Sequence, residues 1–343
     1  MIKLSGWIRW VFLGFISLAL TVACTQQPTT TAPDASMSPS APAPAQSKPL
    51  VSATNNWVGY SGHHVAVGKD FFTQAGLKVE DLFFQSAGEE ITAFLAGKVD
   101  IAWVASGDVI QMVEKDPSIK IIYQVDYSNG SDGIIGRNIN SPKDAKGKVI
   151  ARENILFERV LLQAYLKKGG LTESDAIVKD IASADAATAF AAKQVDIAVT
   201  YEPYMTKAAA QGGGKVIFST KDTNLIADVI IVRDKLIQSR KSDLQAYLKA
   251  ADKAVKLLIA RDPEALKLSG TKLGVSADEI KAQLEGVKLF DLDANKAISF
   301  SKTDPGSVIG NLDLTAKAAF DFKIVTKPLV VESLYDDSIV KSS

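Results

Sequence analysis

ITAFLAGKVDIAWVASGD at residues 91–108 and ATAFAAKQVDIAVTYEPY at residues 187–204 align without a gap. They share Thr92/Thr188, Ala93/Ala189, Phe94/Phe190, Ala96/Ala192, Val99/Val195, Asp100/Asp196, Ile101/Ile197 and Ala102/Ala198. Small and aromatic residues at helical spacing come first, then a polar break at Gly97-Lys98 or Lys193-Gln194, then a short β-branched run. Each copy therefore reads as a helix turning into a buried strand that ends at a polar loop. Alanine matches alone would carry little weight, but a Phe and a Val-Asp-Ile-Ala block at matching offsets predict two equivalent α/β units. Ligands in open α/β sheets sit beyond the carboxyl ends of the strands. If the two units face each other, residues 106–108 and 201–204 look into one cleft.

The flanking pattern agrees. A first strand is expected over 50–57, then a Gly-rich loop, GYSGHH, at 59–64, and a helix to about Gln74 stopped by Gly76. A strand over 78–84 completes a βαβ order, which builds a parallel sheet. Further strands are expected at 119–127, 149–151, 216–218 and 228–232, with an extended crossing segment at 133–137 and a helix over about 157–168. After residue 232 the pattern predicts helices only, around 243–260, 263–272, 277–285 and 313–322.

The N-terminus carries Lys3 and Arg9 ahead of an apolar run at 11–23, with small Ala23 directly before Cys24, the one cysteine of the chain. This is the build of an export signal, and the run is short for a membrane span. Cys24 stands where a bacterial lipoprotein signal needs its thiol, although Thr21 occupies a position where Leu is commonest. Plain secretion and an uncleaved anchor are the alternatives to lipidation. Residues 24–49 hold six of the 12 prolines and almost no bulky apolar side chain, so they cannot bury enough surface to offset chain entropy and read as a disordered tether.

Composition closes off other classes. The chain has 343 residues, 47% hydrophobic and 23% charged, with 39 basic and 39 acidic side chains. That is enough for a large core, and the balance leaves no electrostatic footprint for nucleic acid. One cysteine excludes an intramolecular disulfide and a thiolate zinc cluster. The Gly212-Gly213-Gly214 run lacks the Lys-Ser/Thr of a phosphate loop and reads as a helix stop.

WVGY at 57–60, KDFFTQAGLKVE at 69–80, GKVDIA at 97–102, SDGII at 131–135, QVDIAVTYEPY at 194–204, DVIIVR at 228–233, DPEA at 262–265 and LGVS at 273–276 together carry a family resemblance. The sequence resembles the nitrate/sulfonate/taurine/bicarbonate group of ABC-transporter substrate-binding proteins, which shares its fold with thiamine-pyrimidine-synthase-like domains. The likeness runs in order over about residues 50–343. It implies a type II, two-lobed α/β periplasmic-binding fold with two crossing strands and a helical C-terminal part. The first lobe would be 50–136 plus 228–343 and the second 137–227. It also implies binding without catalysis or cofactor. A small polar organic solute (sulfonate/taurine-, amine- or vitamin-precursor-like) would be captured outside the cytoplasm by a lipid-anchored monomer and delivered to an ABC permease and its ATPase. The rival is an enzyme on the same fold, such as a thiamine-pyrimidine synthase-like protein, although those carry a cysteine-rich motif that this chain lacks. Ser61-Gly62-His63-His64 and Tyr201 depart from the family's usual residues, on the loops that would choose the ligand.

Candidate ligand contacts follow from these placements. Glu202 ends a buried strand at a Pro-stiffened turn and can accept from an ammonium, amide or hydroxyl; the competing role is a carboxylate at a helix start. Asp132 and Asp228 stand at the two crossings, with backbone or hinge bonding as the plainer alternative. His63 is a donor candidate in the first cleft loop, and a metal at His63-His64 is not expected because no third ligand completes a site. Trp57, Tyr60, Trp103 and Tyr201 lie near strand ends and can wall a pocket, with a place in the core as the alternative. Ser106 and Gly107 offer hydroxyl and N–H donors at a strand-to-helix turn. Arg152 and Asn154 stand where a sulfonate or carboxylate could be caught, with a solvated side chain as the alternative for Arg152.

Overall fold

A computed structural model describes residues 48–222, 225–304 and 306–343. The expected export signal at 1–23, the lipid site at Cys24 and the tether as far as residue 47 lie outside the described residues. The strands are β1 (Leu50–Thr54), β2 (Val79–Phe83), β3 (Ile101–Ala105), β4 (Ile119–Ser128), β5 (Asp132–Gly136), β6 (Val149–Arg152), β7 (Ile177–Asp180), β8 (Ile197–Tyr201), β9 (Lys215–Ser219), β10 (Ala227–Arg233) and β11 (Val287–Leu289). They form a six-stranded sheet, β11-β4-β10-β3-β1-β2, and a five-stranded sheet, β7-β6-β8-β5-β9. The chain passes between the sheets twice, after β4 and after β9. Because β5 pairs with β8 and β9, the first crossing lies between Ser128 and Asp132, ahead of the boundary expected at 136.

The helices are α1 (Ser61–Gly68), α2 (Phe71–Gln74), α3 (Ala87–Leu95), α4 (Ser106–Lys115), α5 (Leu156–Lys168), α6 (Ser183–Ala191), α7 (Tyr204–Gly212), α8 (Asp234–Ser239), α9 (Lys241–Ile259), α10 (Pro263–Leu273), α11 (Ala277–Gln283), α12 (Leu292–Ala294), α13 (Val308–Asp321) and α14 (Ser338–Lys341). The helix expected to run unbroken to Gln74 is interrupted at Asp70, whose φ of 55° is left-handed, a conformation that Asp tolerates better than most side chains. The Gly-rich loop expected through His64 is helical from Ser61 onward. The expectation of helices alone after residue 232 is corrected by β11, a three-residue strand that adds to β4.

The repeat organises both sheets. Helices α3 and α6 start 96 residues apart, at Ala87 and Ser183, and β3 and β8 start 96 apart, at Ile101 and Ile197. Ile101 and Ala102 pair with β1 as Ile197 and Ala198 pair with β6. The shared aspartate does one job twice. The Val51 N–H donates to Asp100 Oδ2 and the Val149 N–H to Asp196 Oδ2, each at 3.0 Å, tying each strand to its parallel neighbour. The same offset relates β5 to β10, since DGIIGR at 132–137 aligns with DVIIVR at 228–233. At their far ends, the Arg137 and Arg233 guanidiniums lie 5.1 and 4.3 Å from the Phe190 and Phe94 ring centres. They donate to the carbonyls of Phe190 and Val195, and of Phe94 and Val99, respectively.

The five-stranded sheet has an apolar cluster on each face, one around Ile134, Leu162, Tyr165 and Ile197 and one around Ile135, Phe190, Ala198 and Met205. The larger core of the six-stranded sheet extends across to Ile155, Leu156, Phe157 and Tyr201. The two lobes thus share buried apolar surface along α4, α5 and α13.

Candidate functional site

The duplication places equivalent groups at the lobe junction. Asp228, the second residue of β10, lies opposite Ala105, the last residue of β3, and Asp132 opens β5 opposite Tyr201, the last residue of β8. A third carboxyl, Asp126 on β4, pairs in register with Asp228. All three are buried. The Tyr60 hydroxyl donates to Asp228 Oδ1 at 2.7 Å, and Trp57 Nε1 donates to Asp126 Oδ2 at 3.0 Å. Gly59 makes this approach possible: a Cβ there would lie 1.9 Å from Asp126 Oδ2 and 2.2 Å from Trp57 Nε1. The Trp57 N–H is fixed by Asn55 Oδ1 at 3.0 Å, and Asn55 Nδ2 donates to buried Glu90 at 2.8 Å.

Asn55, Trp57, Tyr60, Ala87, Ala105, Asp132, Phe157, Tyr201, Ile226 and Asp228 enclose a cavity of about 20 Å³, room for about one water. Trp57 meets Tyr201 edge to face, with ring centres 5.8 Å apart, and Phe157 lies 6.5 Å from Tyr201 on its other side. Burial, then the charge of Asp228, pushes Asp126 and Asp132 well above the usual carboxylate range. Burial raises Asp228 to about 6 against the opposing Tyr60 hydrogen bond. Asp132 Oδ2, Asp126 Oδ1 and the Tyr201 hydroxyl are buried without a hydrogen-bond partner.

Two carboxylates reach across the junction to helix starts, where free N–H groups favour an acceptor. Asp108 Oδ1, on α4, accepts from the Leu156 N–H of α5 at 2.7 Å and from Phe157 N–H at 3.4 Å. Burial raises Asp108 to about 7 despite these bonds. Glu153, after β6, accepts from Gly88 N–H in the first turn of α3 at 2.8 Å and from the Ser183 hydroxyl of α6 at 2.9 Å. An open groove of about 770 Å³, lined by α3 and by Glu153, Asn154 and Asp180, lies outside this contact.

Of the residues singled out from the sequence, Trp57, Tyr60, Asp132 and Asp228 come together around the cavity. Glu202 does not line it: its carboxylate accepts from the Thr206 hydroxyl and, at 3.3 Å, from Thr206 N–H in the first turn of α7. His63, inside α1, is fully buried between Tyr247, at 3.0 Å from Nδ1, and Asp81, at 3.0 Å from Nε2. Ser106 donates to Asn311 at 3.1 Å, and Gly107 gives passage to Thr315 and Leu156, 3.2 and 3.3 Å from its would-be Cβ. Arg152 pairs with Glu173 at 3.0 Å and Asp180 at 2.7 Å, and Asn154 is exposed in the outer groove. Sequence reasoning misses Asp126, Phe157 and Asn55. Asp126 has a legible signal, an acid inside the apolar run IKIIYQVDYS.

Comparison with known proteins fits this architecture. The chain is 25% identical over 279 residues to the "Putative aliphatic sulfonates-binding protein" of Bacillus subtilis (strain 168), covering 80% of this chain and 81% of that one. Its fold is shared with the alkanesulfonate-binding protein SsuA from Xanthomonas axonopodis pv. citri bound to MOPS, at TM-score 0.70 and 16% identity over 85% of this chain and 99% of that one. The desulfurization enzyme DSZB also shares it, at TM-score 0.63 and 15% identity over 86% and 98%. The fold is therefore the two-lobed α/β fold of periplasmic binding proteins. The family model described as NMT1/THI5 like matches residues 57–265, more than half of the chain, and the protein belongs to that family.

Proposed function

We propose that this protein is the extracytoplasmic solute-binding component of an ABC importer, tethered to the membrane through Cys24, closing two lobes on a small polar organic solute and presenting it to a permease. The observation that carries this reading is the enclosed junction. Two lobes joined by two crossing strands meet around aromatic rings and buried carboxyls, and each lobe caps a helix of the other. Such a contact breaks and reforms as a unit when lobes hinge about their crossings. A cavity of about 20 Å³ is too small for an organic solute, so entry requires the lobes to part. The sulfonate-binding names of relatives support the role, since they share most of the chain's length. The desulfurization enzyme shows that catalysis also occurs on this fold, but the groups gathered here, carboxyls already bonded to Trp57 and Tyr60, are suited to holding a solute.

Thermal denaturation of the full chain in mild detergent, screened against sulfonates, amines, amino acids and vitamin precursors, tests the proposal. A true solute at a hundred times its Kd adds about 2.7 kcal/mol to the native state, a rise in Tm of about 5 °C for a chain of this size. No stabiliser across the panel, with turnover of one compound instead, overturns it.

A further inference from the structure

Resting on that solute-binding reading, we infer that the solute of this junction is an organic cation, a protonated amine or amidine on a compact carbon skeleton, and that Asp132, Asp228 and Tyr201 select it. The cavity is a place of spare acceptors. Asp132 Oδ2 and the Tyr201 oxygen, on residues each 3% exposed, line it and have no hydrogen-bond partner. A buried acceptor without a donor is rare and calls for one from a ligand or a water. Three side-chain donors at the cavity wall are already used, Tyr60 on Asp228, Trp57 on Asp126 and the Asn55 amide on Glu90, which leaves the neutral Tyr201 hydroxyl as the one unpartnered hydroxyl of the lining. No Lys, Arg or His is among the lining residues, and Arg152, outside that lining, is paired with Glu173 and Asp180 through its two terminal nitrogens, with Nε left unpartnered. A sulfonate placed here would face carboxyls and find no free charged donor. An ammonium or amidinium instead supplies N–H groups to Asp132 and Asp228 and sets its charge among Trp57, Tyr201 and Phe157, whose rings attract cations.

The pseudo-symmetry strengthens the assignment. Asp132 and Asp228 occupy the same position of the same repeated strand in the two lobes, so a cation between them is held from both sides and links lobe closure to its own charge.

Calorimetric titration of the full chain compares matched probes: benzylamine and benzamidine against benzenesulfonate, and butylamine against butanesulfonate. At least one amine or amidine is expected to bind, with its sulfonate partner at least tenfold weaker. Asp132→Asn, nearly isosteric, should weaken the cation at least tenfold, and Tyr201→Phe should weaken it severalfold, both with circular dichroism unchanged. A sulfonate binding as well as or better than its amine partner, or an amine affinity indifferent to both substitutions, overturns the cation assignment while leaving solute binding intact. Failure of every probe here, together with no stabiliser in the wider thermal screen, overturns the solute-binding reading beneath it.

Discussion

Replacing Asp108 by Ala removes the contact that carries one lobe onto the other without touching the cavity wall. Asp108 Oδ1 accepts from Leu156 N–H at 2.7 Å, a short bond, and from Phe157 N–H at 3.4 Å, a marginal one. Counting only the first, and with burial favouring the neutral carboxyl, the hydrogen bond contributes about 0.5–1.5 kcal/mol. In parted lobes water serves both groups, so the loss falls on the joined arrangement alone. An opening shift of that size raises the apparent Kd of the tightest stabiliser about 2- to 13-fold. Asp108→Asn keeps an acceptor oxygen and should retain most of the affinity, but with a different pH profile. In the joined lobes burial lifts Asp108 to about 7, whereas an exposed Asp titrates near 4. The joined form therefore holds the proton more tightly. Its advantage from this group is full below about pH 4 and is lost as pH rises through about 7. Calorimetric titration from pH 5.5 to 8.5 should show the wild type losing affinity relative to Asp108→Asn as pH rises, with Asp108→Ala weak throughout. An unchanged affinity in Asp108→Ala, or parallel pH profiles for wild type and Asp108→Asn, refutes the latch.

Other perturbations probe the frame around the site. Gly59→Ala drives a Cβ into Asp126 Oδ2 and Trp57 Nε1, an overpacking that costs about 1–3 kcal/mol; denaturant melts should show that loss and ligand titration a weaker solute, and a neutral result would mean the loop moves freely. Arg137→Ala removes a guanidinium that donates to the Phe190, Val195 and Gly212 carbonyls, and calorimetry should find a Tm lower by about 4–8 °C for a loss of about 2–4 kcal/mol. Lys193, at φ 62°, fills the turn that Gly97 fills in the other copy at φ 73°, so Lys193→Gly should stabilise the chain by about 0.5–1 kcal/mol in the same melts.

The two-lobe plan is legible because its signal is covalent order. A helix–turn–strand copied at a 96-residue offset stays recognisable when only Phe, Val-Asp-Ile-Ala and a few small residues persist, since those residues do one structural job twice. The second copied segment, Asp-x-Ile-Ile-x-Arg, carries Asp132 and Asp228 and is equally present in the sequence. It is obscured because β5 has Gly133 and Gly136 where β10 has Val229 and Val232. The structure explains the difference: a Cβ at Gly133 would lie 2.7 Å from Met205 Sδ and 2.8 Å from the Phe218 carbonyl, and one at Gly136 would lie 2.7 Å from Ile217. Crowding from α7 and β9 erases side chains that the six-stranded sheet has room to keep.

What sequence reasoning misplaces are side-chain directions that depend on distant partners. Arg152 reads as an anion trap because it ends a strand at the cleft, but Asp180, which holds it, sits at the end of β7. That edge strand has two exposed and charged members in four residues, Lys179 and Asp180, and an Ile177 that is 56% exposed, so it lacks the apolar alternation that would reveal it. Without β7, Arg152 has no visible counter-charge and reads either as a place to catch a sulfonate or carboxylate or as a solvated side chain, among acids that favour a neutral, zwitterionic or partly cationic solute. With β7 in place, its guanidinium pairs with Glu173 and Asp180 while Nε stays without a partner, and the unpartnered groups lining the cavity are Asp132 Oδ2 and the Tyr201 hydroxyl. The partners of Arg152 are thus set by an edge strand whose own sequence is nearly silent, whereas the lobes can be read from the chain because their signal is a local segment copied twice.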